Sequence, residues 1–188
     1  MSAQQSTRRN PMGRLGLIAA VMTGFLVFML ASHASARSQG TELVMTVEGY
    51  DPRDLFLGHY AQIRTPLNMM ALDTLAGDDA FERHQPVFVT LAIGEDGLAV
   101  PVAVHGSHPG TGLVAEGRVG FADEFLHARF KIERYYADRD DALALQDILR
   151  GGTSDEGRVR IILSLTGSGQ LMIKGFEIDG ERRIDRIW

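Results

Sequence analysis

The chain has no cysteine among its 188 residues, which excludes disulfides, thiolate metal sites and a thiol nucleophile. An oxidising compartment is compatible with that lack, though not required by it. No internal repeat or low-complexity tract is present. Gly-x-Ser-x-Gly, Ser-x-x-Lys and His-Glu-x-x-His are missing, and with them the usual hydrolase and zinc signatures. Gly151-Gly152-Thr153 and Gly167-Ser168-Gly169 lack the strand, loop and helix order of a phosphate-binding loop and read as turns. Excess positive charge is missing too: 19 basic residues face 24 acidic ones, giving a net charge of −5. Because the basic residues are scattered along the chain, no footprint for nucleic acid emerges.

What is present is enough apolar material for a core, 45% apolar against 23% charged residues. Residues 1–14 are polar and carry Arg8, Arg9 and Arg14. Residues 15–34 then run without a single Asp, Glu, Lys or Arg. Roughly 20 helical residues rise about 30 Å, the thickness of a bilayer's hydrocarbon core. Three arginines before the run and Arg37 after it predict a cytoplasmic amino terminus and an exported remainder. A cleavable signal peptide is the competing reading, because Ala34-Ser35-Ala36 has the form of a cleavage site. Residues 35–41 form a linker, and 42–188 read as one folded domain.

Period-two alternation dominates that domain. Strands are expected over 42–48, 60–66, 86–93, 98–105, 114–119, 125–136, 158–166, 170–178 and 181–188, with most of 67–83 left as loop. Asp96-Gly97, Gly167-Ser168-Gly169 and Asp179-Gly180 mark turns. One helix is expected over 139–150, with Asp138 as its N-cap and Gly151 after its end. The fold class is therefore mainly β (α+β): an N-terminal transmembrane helix, then an antiparallel barrel or sandwich of about eight or nine strands with one packed helix.

The densest chemistry lies in Tyr50–Thr65. Asp51-Pro52-Arg53-Asp54 has the composition of a proline-initiated turn. Gly58 supplies backbone freedom before a strand, and His59 and Tyr60 open that strand, pointing to opposite faces. Arg53 either pairs with a carboxylate, with Glu133 the candidate partner, or binds an anion. His105 and His108 sit in a Gly/Ser/Pro loop whose spacing enforces no common face, so they read as loop residues and not as metal ligands.

With Gly58-His59-Tyr60 ahead of Ile63 and Thr65, this stretch resembles the GDYXXLXY proteins, membrane-anchored bacterial proteins of uncharacterised function. Phe130–Tyr136 and Ile173–Gly180 resemble the same family. The signature departs from its pattern: His59 stands for the aspartate, Ile63 for the leucine and Thr65 for the last tyrosine. Ala137-Asp138-Arg139-Asp140 replaces a Pro-Glu-Gly-like turn. The resemblance implies an anchored, extracytoplasmic protein and supplies no catalytic residues; with the flanking arginines, the expected location is the bacterial inner membrane, single-pass, with the carboxy-terminal domain periplasmic.

The leading expectation is a non-enzymatic partner-binding or accessory module, without cofactor or metal, meeting an inner-membrane protein or other envelope component. The candidate binding or structural-turn residues are Asp51, Arg53, Asp54, Gly58, His59, Tyr60, Glu133 and Tyr135. Two alternatives stay open: a small envelope hydrolase using the Asp51–His59 region, and a lipid or small-ligand barrel.

Overall fold

A computed structural model describes residues 11–47, 60–136 and 159–184 of the chain. Two compact units are present, residues 1–36 and 37–188.

The first unit holds most of helix α1 (Pro11–Gln39). Its 29 residues rise about 43 Å at ~1.5 Å each, and among the described residues it is the one helix long and apolar enough to cross a membrane. Its apolar side chains are exposed on every face, as at Leu17, Phe25 and Phe28. A helix apolar all round belongs in a surround as apolar as itself.

Among the described residues, twelve β-segments follow. They are β1 (Thr41–Thr46), β2 (Tyr60–Gln62), β3 (Met69–Ala71), β4 (Ala76–Gly77), β5 (Pro86–Ile93), β6 (Ala99–His105), β7 (Leu113–Ala122), β8 (Phe125–Arg129), β9 (Arg134–Tyr136), β10 (Val159–Leu165), β11 (Leu171–Ile178) and β12 (Glu181–Ile184). A single 3-10 turn, Leu72–Thr74, joins β3 to β4. Three sheets result, ordered β1-β10-β11-β12, β2-β9 and β3-β8-β7-β5-β6-β4. All pairings are antiparallel except the two-residue pairing of β4 with β6. The sheets curl into a half-barrel, so the domain is mainly β as the alternation predicts.

Alternation sets the core. In β5, Val87, Val89 and Leu91 are buried while Phe88, Thr90 and Ala92 are only partly so. Leu43 and Met45 of β1, Val119 of β7, Leu126 and Ala128 of β8, and Ile161 and Leu163 of β10 join them in one cluster. Each of the larger side chains among them contributes about 1.5–3 kcal/mol on burial. Strand β10 departs from the pattern, because Ile162 and Ser164 on its other face are fully buried as well.

Curling is visible in one ion-pair group. Glu42 on β1 bonds Lys174 on β11 at 2.6 Å and also pairs with Arg182 on β12. Those end strands stand three places apart, about 14 Å in a flat sheet at ~4.8 Å per strand. Coiling of the sheet brings them within reach of one carboxylate.

Two expectations need correction. The single strand expected over 125–136 is broken into β8 and β9, because Lys131 takes a left-handed backbone with φ 64°. The strand expected over 60–66 ends at Gln62, and the chain turns at Thr65–Asn68; most of 67–83 is loop as expected, holding only the short β3 and β4. The helix expected over 139–150 lies outside the described residues.

Candidate functional site

Of Tyr50–Thr65, the stretch with the densest chemistry, only residues 60–65 are described. Asp51, Arg53, Asp54, Gly58 and His59 lie outside the described residues, and so does the suggested Arg53–Glu133 pair. Tyr60 opens β2, whose register places Tyr60 opposite Tyr136 and Ala61 opposite Tyr135. Pairing continues one step further, with the Ile63 N–H donating to the Glu133 carbonyl at 3.0 Å. The backbone thus brings the Tyr60 segment and the Glu133–Tyr135 segment together. Tyr135 packs its ring edge-on against Phe176, with centroids 4.7 Å apart.

Past this ladder the signature ends in a polar clasp that sequence reasoning missed. Ile63 and Thr65 are both 1% exposed. Pro66 follows Thr65, and the Asn68 N–H closes a turn on the Thr65 carbonyl at 2.9 Å. The Asn68 side chain then satisfies all its capacity. Its Oδ1 accepts from the Thr65 N–H at 2.9 Å and from the Thr65 hydroxyl at 3.1 Å, while Nδ2 donates to the Ala128 carbonyl at 3.2 Å and to Glu133 Oε1 at 3.0 Å. Glu133 Oε1 also accepts from the Phe130 N–H at 2.6 Å, which closes the turn that holds Lys131 left-handed. Thr-Pro-x-Asn was the available signal, a proline turn whose last residue carries an amide.

Two clefts open on the β7–β8 side of the six-stranded sheet. One, of about 480 Å³, is lined by Arg83, His84, Glu116, Arg118, Arg129 and Lys131 around a floor containing Gly117 and Gly120. The other, of about 650 Å³, is bordered by Arg64, Asn68, Met69, His127, Glu133 and Arg134. Gly120, Phe121, Arg129 and Lys131 belong to both.

A β-bulge makes this surface. Pairing of β7 with β8 skips Gly120, so Arg118 faces Arg129 and Phe121 faces His127. The skipped residue turns Phe121 outward, 46% exposed, where it stacks on His127 at 3.9 Å with 19° between the planes. At Gly117 the backbone is packed too closely for a side chain: an added Cβ would lie 2.7 Å from the Phe130 ring.

Charge divides between the two large sheets. On the four-stranded sheet, Arg160 pairs with Glu177, Lys174 and Arg182 with Glu42, and Arg183 with Glu181. Arg83, Arg118, Arg129 and Lys131 make no ion pair among the described residues. Two of them are held instead by backbone: Arg83 Nε donates to the Gly120 carbonyl and Arg118 Nη1 to the His84 carbonyl, each at 3.0 Å.

Among the described residues no group of three His, Asp or Glu side chains could hold a metal ion. His108 serves its loop, accepting from the Gly110 N–H at 2.9 Å and meeting Phe88 edge-on.

No curated protein and no solved structure matches the chain. The model of the GDYXXLXY protein family matches residues 22–176, which takes in most of α1 and every strand from β1 to β10, with β11 as far as Phe176. With that match covering most of its length, the chain belongs to the GDYXXLXY family.

Proposed function

We propose that this protein is a non-enzymatic binding or accessory module, anchored in the inner membrane by α1 and facing the periplasm with residues 42–188, which holds an anionic partner in the β7–β8 clefts. The observation that carries the reading is the set of four cations, Arg83, Arg118, Arg129 and Lys131, that line one cleft with no ion pair among the described residues, while the basic side chains of the four-stranded sheet are paired. An exposed cation group that outnumbers its counter-charge, four against Glu116 here, raises the local concentration of anions and selects for them. Orientation rests on the three arginines ahead of the apolar run. A lipid-carrying interior has less support, since the space between the sheets is filled by Leu43, Met45, Ile161 and Leu163.

The test is site-specific photocrosslinking from position 121 in intact membranes. A crosslinked partner that is lost in the double variant Arg118→Glu, Arg129→Glu, with the fold retained, is the expected result. Crosslinking unchanged by that reversal overturns the binding role of the cleft. Intact mass of the same extracted protein reports the anchor, and a mass beginning at Arg37 overturns it.

A further inference from the structure

We infer that the cleft lined by Arg83, Arg118, Arg129 and Lys131 is a binding site for a phosphate group. This rests on the reading of the cleft as an anion site and names its anion.

The register carries the first step. Arg118 and Arg129 are directly opposite on adjacent antiparallel strands, both exposed on the outer face. Side chains so placed start about 4.5–5.5 Å apart at Cβ, and like charges there repel. The repulsion disappears when one anion accepts from both guanidinium groups.

Preorganisation is the second step. Arg118 spends one of its N–H donors on the His84 carbonyl, and Arg83 spends Nε on the Gly120 carbonyl. Each guanidinium is thereby oriented while its remaining donors stay available to a ligand. Two cleft residues also have left-handed backbones without being glycine, His84 at φ 68° and Lys131 at φ 64°. Such conformations persist where surrounding structure enforces them, here the Glu133 carboxylate that closes the turn around Lys131.

Charge chooses the class of anion. Four cations share the cleft with one carboxylate, Glu116. A single carboxylate ligand would leave most of that excess in place. A phosphate monoester carries about −1.5 to −2 near neutral pH, and its tetrahedral oxygens accept guanidinium forks from two sides. The cleft volume of about 480 Å³ leaves room for what the phosphate is attached to, beside the Phe121–His127 stack. A soluble phosphate monoester and the monoester head group of phosphatidic acid both present this chemistry.

The test uses the full chain in zwitterionic detergent at low ionic strength, titrated calorimetrically with inorganic phosphate and, separately, with acetate. Saturable phosphate binding is expected, weakened at least tenfold by Arg129→Gln. Without phosphate, Arg129→Gln should unfold at the same temperature as the parent or higher, because it removes one of two opposed charges; a purely structural arginine would give the reverse. Lys131→Gly, which relieves the left-handed backbone, is the second variant and should also weaken phosphate binding while keeping the fold. Acetate binding as tight as phosphate overturns the phosphate assignment and leaves the anion-site reading standing. Absence of binding by either anion overturns both, and phosphate binding unchanged in both variants overturns this site. Nanodiscs containing phosphatidic acid, compared with phosphatidylcholine alone, identify the source: competition with phosphate indicates a lipid head group, and no competition indicates a soluble phosphate.

Discussion

Asn68 and Glu133, 65 positions apart in the chain, share a hydrogen bond of 3.0 Å that ties the end of the family signature to the turn between β8 and β9. Everything around the contact depends on the Asn68 amide. Asn68→Ala would leave the buried Thr65 hydroxyl and backbone N–H and the Ala128 carbonyl without those partners. We expect a loss of about 2–3 kcal/mol, read as a lower urea midpoint with unchanged slope. Thr65→Val, which gives up only one of the bonds, should cost about 1 kcal/mol. Equal, near-zero effects from both would show that the clasp contributes nothing to stability.

Acid should loosen the four-stranded sheet. The hydrogen bond from Lys174, and next that from Arg182, hold the Glu42 carboxyl below its ordinary value of 4.5. A carboxyl lowered in the folded state contributes stability that is fully present above its unfolded pKa and is lost as pH falls through the folded one. Stability measured from about pH 6 to about pH 3 should therefore decline below the ordinary carboxylate value, and less steeply in Glu42→Gln. An identical acid profile in that variant would remove Glu42 from the explanation.

Ser164 offers a stabilising substitution. Its side chain is fully buried in β10, and the hydroxyl has no hydrogen-bond partner among the described residues. Ser164→Ala removes an unpaired polar atom without enlarging a side chain, so a gain of about 1 kcal/mol is expected in denaturant unfolding. A loss of that size would mean that the hydroxyl has a partner. Gly40 constrains the same spot, since an added Cβ would lie 2.1 Å from Ser164 Oγ.

Local sequence carried much of the sheet but little of the cleft. The β5–β6 hairpin was readable from Asp96-Gly97, where Gly97 has φ 76° and Asp96 accepts from the Leu98 N–H. Asp179-Gly180 likewise takes the two positive φ values, 52° and 83°, that a tight hairpin turn requires. The break at Lys131 was hidden, because a lysine gives no hint of a left-handed backbone and its cause, Glu133, acts through a side chain. The cleft was hidden for a different reason. Its cations come from positions 83, 118, 129 and 131, and Arg118 meets Arg129 only through a register that the Gly120 bulge shifts. Scattered charges in the chain thus became one basic face.

The rim formed by β12 has a consequence for encounters between copies of the domain. Glu181, Arg182, Arg183 and Ile184 are all exposed on an outermost strand whose far side faces no other strand among the described residues. Open strands invite zippering into continuous ribbons. Three adjacent charged residues make such lateral growth unfavourable, so crowding alone would not fuse neighbouring domains into a fibre.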